Sequence, residues 1–295
     1  MSVDRPPLRG LLKALVDYAG LFPPAALDMD AAVAAYQRHL ASPDAFMLGR
    51  FIVPAMRLGE LVDAMQRVMG EPPDSPWRLS VTAAPEDAGL LGPFNAQHAA
   101  WAVIDSVEVK APSVEEVERA LASFPSDFQR FVELPPDGDL DGCLPLLKQA
   151  GARAKVRTGG LSLALFPSTD ALAAFMATCV RHGVPFKATA GLHHPVRGEH
   201  PMNGKPDGAR APMHGFVNLF VAAAMLADGA AVDDARDLLE ETSLDAFSFD
   251  EEAISWRGHR VTAERMIEAR GGCATSFGSC SFDEPCDDLK ASHLL

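Results

Sequence analysis

The chain has 295 residues, 48% of them hydrophobic, enough to bury one large core, and its formal net charge is −14 at pH 7. That charge argues against non-specific binding to nucleic acid or an anionic membrane, while a local cationic pocket remains compatible with it; the expected partner is small. No stretch reads as the roughly 20 apolar residues a span requires, and Met-Ser-Val-Asp-Arg-Pro-Pro at the start lacks a charged-then-apolar targeting segment. A soluble cytoplasmic protein is the expectation.

Along the chain, β-rich runs alternate with amphipathic helical stretches, the pattern of a parallel sheet. Strands are expected at 16–22, 50–55, 78–84, 107–111, 130–134, 154–158 and 186–190. Helices are expected at 30–40, 58–69, 113–123, 140–150 and 169–182, several opening on Ser, Thr or Asp caps. The segment 87–100 is ambiguous, because Gly92 and Pro93 interrupt it. Residues 193–213, rich in proline, histidine and glycine, suggest a long surface loop and a plausible lid. An apolar helix at 214–228, an acidic one at 232–241, a hairpin at 247–256 and a helix at 262–270 follow, before an eighth strand at 274–282. The expected architecture is thus an α/β fold, a (β/α)8 TIM barrel forming one domain over 1–295, with an insertion of about 193–270 between strands seven and eight.

Five cysteines form no disulfide framework in a chain of this length. Cys143 and Cys179 fall in helical patterns, and Cys273, Cys280 and Cys286 have spacings that match no zinc signature.

The most informative feature is a pair of lysines, Lys155 and Lys187, each four residues ahead of a glycine, Gly159 and Gly191, on consecutive expected strands. An ammonium in an apolar barrel is costly, and a second one nearby makes ionisation of the first less favourable, so such a pair is expected to hold one lysine as a neutral amine. A neutral amine can attack a carbonyl, which is the requirement of Schiff-base catalysis.

The order of motifs resembles that of the class I deoxyribose-phosphate aldolases. Leu15-Val16-Asp17-Tyr18 before Pro23-Pro24 looks like that family's first strand and Phe51-Ile52-Val53-Pro54 its second; Val107-Glu108-Val109-Lys110 takes the place of its acidic fourth strand, and Val132-Glu133-Leu134 that of the fifth. Lys155 with Thr158 and Gly159 fits the sixth-strand motif, Lys187 with Gly191 the seventh, and Gly278-Ser279-Cys280-Ser281 the phosphate-binding turn of the eighth. The resemblance implies that Lys155 forms the imine, Lys187 depresses its pKa, and an acid on strand four moves protons. The chain departs from the family by offering Glu108 where an Asp is usual, with Lys110 two residues on and therefore on the same side of the strand. Buried together, those two could pair. Arg157 shares the side of Lys155, and its fork suits a carboxylate or phosphate.

The expected reaction is a carbon–carbon lyase step on a small anionic carbonyl compound, a keto acid or sugar phosphate, with no cofactor. Catalysis would fall to Lys155, Lys187, Glu108 and Glu133, and substrate binding to Arg157, Lys110, Gly191, His193, Gly278, Ser279, Cys280 and Arg50. Arg50 could instead pair with a surface acid, and Asp17 and Tyr18 could simply cap the first strand. Cys280 could be a nucleophile, but anion binding by its turn is the preferred role. An alternative is a divalent transition metal, zinc, manganese or iron, on His193 or His194, His214 and a glutamate, in a metal-dependent lyase or isomerase. A third is a non-catalytic binder of small anions on the same barrel. An exposed apolar face on helix 214–228 would suit a homodimer.

Overall fold

The protein is described here by a computed structural model covering residues 5–295. Eight parallel strands, Val16–Tyr18, Leu48–Pro54, Trp77–Thr82, Ala102–Lys110, Gln129–Glu133, Arg153–Arg157, Phe186–Thr189 and Ala274–Ser279, close into a barrel, the eighth pairing with both the first and the seventh. Helices alternate with them, so the fold is a (β/α)8 TIM barrel. Period-two alternation sets what each strand offers to its two sides. On the seventh strand Phe186 meets Phe175 of the helix Thr169–His182 at 5.7 Å between ring centroids, while Lys187 between its apolar neighbours turns inward to Asp17.

Capping chemistry marks the helix starts as expected: Asp28 accepts from the amide of Ala31, Ser168 from that of Ala171, and Ser113 and Glu116 form a reciprocal box. The ambiguous segment is a helix, Ala88–His98, despite its internal Pro93. Asn95 holds it to the fourth strand with two hydrogen bonds of 2.8 Å to the main chain of Ile104, and that strand starts at Ala102, earlier than expected.

Between the seventh and eighth barrel strands the chain is more ordered than a loop. Gly198–Pro201 and Arg210–Met213 form an antiparallel hairpin. The expected hairpin at 247–256 gains a third strand, giving a sheet of Phe247–Phe249, Ala253–Trp256 and His259–Thr262. The apolar helix Phe216–Ala227 is buried from Phe216 through Leu226, packed by the helices Val232–Leu239 and Ala263–Gly272. It offers no apolar face to a second copy, which removes the ground on which a homodimer was expected.

One segment, Leu163–His182, is by length and composition apolar enough to cross a membrane, contrary to the sequence reading. In the structure it is a short 3-10 turn followed by the outer helix Thr169–His182, whose buried face includes Leu172, Phe175 and Met176. The alanines of this barrel helix, added to the apolar residues of its buried face, raise its mean hydropathy without changing its role.

Candidate active site

Register brings the charged residues together. Lys110 is the cross-strand partner of Glu133, Glu133 of Lys155, and Lys155 of Lys187, so four neighbouring strands place their charges at one level. Glu108 lies one inward position below Lys110 on the fourth strand. The ammonium of Lys155 is 2.7 Å from Glu108 Oε2 and 3.0 Å from Glu133 Oε2; that of Lys187 is 2.6 Å from Asp17 Oδ2 and 2.8 Å from Glu108 Oε1. Ser276 Oγ donates to Asp17 Oδ2 at 2.9 Å, the Arg50 amide to Asp17 Oδ1 at 2.8 Å, and Ser80 Oγ to Glu108 Oε1 at 2.7 Å. Every member of this network is hydrogen-bonded, as buried charge requires. Among the described residues the only buried side-chain polar atom without a partner is Arg130 Nε, on the outer side of the barrel.

Protonation follows from these contacts. Burial alone pushes the Glu108 carboxyl up, but the ammonium groups of Lys155 and Lys187 outweigh it and hold it well below the usual carboxylate range. Glu133 is likewise lowered, with burial opposed by Lys155 and Arg157. For Lys155 burial favours the neutral amine, yet Glu108 and Glu133 overcome it and its pKa is raised. The expectation of a neutral resting amine is therefore corrected. The second lysine does not act alone, because each ammonium arrives with a carboxylate of its own.

The network forms the floor of a cavity of about 350 Å³ at the C-terminal end of the barrel, the end at which such folds place their chemistry. Glu108, Lys155, Arg157, His193 and Cys280 supply its polar side, and Phe22, Ile52, Leu165, Phe166, Met202 and Met213 its apolar walls. Glu133 and Lys110 line an adjoining opening that shares Lys155 and Arg157. Gly159 and Gly191 bring the ends of the sixth and seventh strands into contact: a Cβ on Gly159 would lie 2.7 Å from Gly191 Cα, and Gly191 has φ of +74°. Thr158 Oγ1 donates to the Ala190 carbonyl at 2.6 Å across the same junction. The equal lysine-to-glycine spacings thus share one cause, since register partners are followed at the same distance by a pair of touching glycines. Gly278 leaves room on the neighbouring eighth strand, where a Cβ would meet Ile52 and Thr189 at 3.1 Å.

Several expected site residues differ in place or in contacts from the sequence reading. Arg50 forms a two-pronged pair with Asp105, at 2.6 and 3.1 Å, and lines a separate cavity at the N-terminal end with Arg153. Its position early in the second strand puts it at the wrong end of the barrel for a substrate at the mouth. Ser279 is buried, its carbonyl accepting from the Ala19 amide and its Oγ from the Ser281 amide. Lys187, beside Lys155 on the neighbouring strand, is fully buried and does not line the cavity. Lys110 is exposed and does not pair with Glu108, whose oxygens are taken by the two inner lysines. The turn 278–281 leads into the helix Asp283–Ala291, but Asp283 and Glu284 occupy its first turn. Those carboxylates already complement the positive end of the helix, so the turn is poorly suited to a phosphate.

The histidines do not converge. His193 Nδ1 is 2.8 Å from Glu284, His194 Nδ1 is 2.6 Å from Asp288, and His214 Nε2 is 2.8 Å from the Pro167 carbonyl. Burial pushes His214 down to about 4, so it is neutral. No group of three or more His, Cys, Asp or Glu side chains among the described residues is placed to hold a metal ion. The donors expected for the alternative metal site thus face three separate partners.

Sequence reasoning missed Asp17 as an inward ligand of Lys187, the hydroxyls of Ser80 and Ser276, and Glu284. For Asp17 a signal was present: an acid flanked by Val16 and Tyr18 within a strand must put its carboxylate on one side of the sheet. No family model matches the chain, and no curated protein matches it either.

Proposed function

We propose that this protein is a carbon–carbon lyase of class I aldolase type, with Lys155 forming a Schiff base to a small carbonyl compound. The observation that carries the reading is the lysine and carboxylate network on the floor of a ligand-sized cavity at the C-terminal face of the barrel. Removing three carboxylates and two ammonium groups from water costs several kcal/mol per ion, and apolar residues of similar volume would stabilise a barrel core at least as well. A fold that keeps such a network next to an open cavity has a chemical use for it. The strand order of the charged residues matches the layout of the class I deoxyribose-phosphate aldolases, which supports the same reading.

In this scheme Lys155 rests as an ammonium and hands a proton to Glu108 or Glu133 as the carbonyl compound enters. The free amine adds to the carbonyl carbon, and the same carboxyl returns the proton to the departing hydroxyl, which leaves as water. The resulting iminium withdraws electrons, so in a substrate with a hydroxyl on the β carbon the bond between the α and β carbons can break: its pair forms the enamine, the β oxygen forms a C=O as its proton passes to the Glu108 or Glu133 carboxylate, and an aldehyde or ketone departs. Lys187 stays buried; it fixes Asp17 and Glu108 and does not touch the substrate. Arg157 and Lys110, at the rim, are the groups available for an anionic end of the substrate. The apolar walls favour a keto acid with a hydrocarbon portion over a sugar phosphate, whose hydroxyls would find few partners there.

One observation favours a second reading: the carboxylates hold Lys155 in its charged form. Glu133 would then remove a proton next to the carbonyl while the Lys155 ammonium stabilises the enolate, without a covalent bond. Borohydride reduction in the presence of a panel of aldehydes, ketones and keto acids, followed by peptide mass spectrometry, tests both. A reduced adduct on Lys155 supports the imine. Ligand-induced stabilisation with no adduct, accompanied by solvent deuterium exchange into the ligand, rejects the imine in favour of the enolate.

A further inference from the structure

Cys280 differs from the other four thiols of the chain. Cys143, Cys179, Cys273 and Cys286 are buried, and burial pushes each of them up, Cys273 and Cys286 to about 12. Cys280 is half-exposed on the wall of the cavity that also holds Lys155. Its Sγ is 4.0 Å from Nε2 of His193, which lines the same cavity, and the other ring nitrogen of His193 is held at 2.8 Å by Glu284. Cysteine, histidine and carboxylate are thus arranged in series: the acid orients the ring and stabilises its charge, and the ring faces the sulfur. Contacts of this kind tighten when a reactant is bound.

The surroundings leave this pair dominant. From the last helix come Asp283, Glu284 and Asp288; from the helix Met29–Leu40, Arg38 and His39; from the first strand, Tyr18; from the insertion, His194 and His200. Arg38 offsets Asp283 at 3.6 Å, and His194 faces Asp288 at 2.6 Å. Burial pushes Tyr18 up to about 12 and His200 down to about 4, so both are neutral near pH 7. For His193 burial opposes the charged ring, but Cys280 and Glu284 raise it to about 10.

We propose that Cys280 is a second nucleophile of this cavity, that His193 carries its proton during the step, and that it adds reversibly to an aldehyde or conjugated carbonyl compound bound there. In the aldehyde case the sulfur lone pair forms the S–C bond, the C=O π pair moves to oxygen, and that oxygen takes the proton from His193 Nε2. In the conjugated case sulfur bonds to the β carbon and the α carbon receives the proton. Neither step requires an oxidant or reductant. The site stands whether or not Lys155 forms an imine, because its nucleophile and proton donor are separate groups.

The test is the pH dependence of alkylation of the full-length native protein by iodoacetamide, read by intact mass and peptide mapping. The expected result is a single label on Cys280, at a rate that depends on His193. His193→Gln should lower the pH 6 rate at least about tenfold and leave the rate at pH 9 nearly unchanged, which also shows that the variant is folded and accessible. Cinnamaldehyde, followed by loss of its conjugated absorbance and mapped without borohydride, should add to Cys280. Labelling of another thiol in place of Cys280, or a pH 6 rate insensitive to His193→Gln, overturns the pairing with His193. Labelling at Cys280 without any cinnamaldehyde adduct overturns the carbonyl step.

Discussion

Lys155 and Lys187 stand opposite each other on adjacent strands and share one carboxylate, Glu108, whose two oxygens lie 2.7 and 2.8 Å from their ammonium groups. Glu108→Gln preserves the shape of that bridge and its contact with Ser80 but leaves two buried cations with one fewer counter-charge. Removing one partner from a buried ion network costs about 3–5 kcal/mol, and a loss of that size is expected in urea denaturation at pH 7. The variant should also shift borohydride trapping on Lys155 to lower pH, since its amine then deprotonates more readily. A Glu108→Gln protein as stable as the native one would show that the shared carboxylate does not hold the lysines together.

Two buried histidines should shape stability against pH in opposite directions. His214 is pushed down to about 4 by burial. The unfolded chain, with an ordinary pKa of about 6.5, takes up the extra proton between pH 6.5 and 4, so stability falls as pH drops through that window and levels off below it, by about 3 kcal/mol from this residue. His39 and His200 are also lowered and act in the same sense. His193, raised to about 10 against the opposing effect of burial, contributes stability that is complete below about pH 6.5 and is lost as pH rises toward 10. The lowered Glu108 and Glu133 add a further loss below about pH 4, where unfolded carboxyls begin to protonate. Thermal unfolding across pH should therefore peak between pH 6 and 7, and His193→Gln should flatten the alkaline limb while leaving the acid limb in place.

The barrel was legible in the sequence because alternation and capping are local. Lys187 between Phe186 and Ala188 declares a polar side and an apolar side without any knowledge of the partners. What could not be read was which carboxylate meets which ammonium. Asp17 and Lys187 are far apart in sequence and meet only because the eighth strand closes the barrel between them. The lysine pair therefore suggested a neutral amine, since repulsion between like charges was visible and the compensating acids were not. Arg50 was misplaced for a related reason: the side of the strand it faces follows from alternation, but its height along the barrel depends on stagger. His193 shows the same limit, because Glu284 reaches it from the last helix, across the whole insertion.

Arg50 provides a control at the other end of the barrel. Its guanidinium grips Asp105, which also pairs with Arg78. Arg50→Lys loses the two-pronged geometry and should destabilise the protein by roughly 1 kcal/mol, as loss of a half-buried charge-assisted hydrogen bond does. Because Arg50 does not line the mouth cavity, the dissociation constant of any keto acid found to bind there should stay within about twofold of the native value, well under 1 kcal/mol. Isothermal titration of native and variant proteins checks this; a tenfold weakening would return Arg50 to the binding site.

Gly159 and Gly191 join the two lysine-bearing strands at their ends. Gly191→Ala meets two obstacles, a Cβ placed 2.8 Å from Gly159 Cα and a backbone φ of +74°. The left-handed conformation costs about 1–2 kcal/mol for a residue with a Cβ, and overpacking about 1–3 kcal/mol more. Gly159→Ala meets only the overpacking, against Gly191 and Phe166, and should cost less. Both changes push the sixth and seventh strand ends apart where Thr158 bridges them, displacing the wall beside Lys155. Gly191→Ala should therefore lower the thermal midpoint more than Gly159→Ala, and both should slow imine trapping on Lys155. Equal stability losses in the two variants would mean that contact, and not backbone conformation, dictates glycine at position 191.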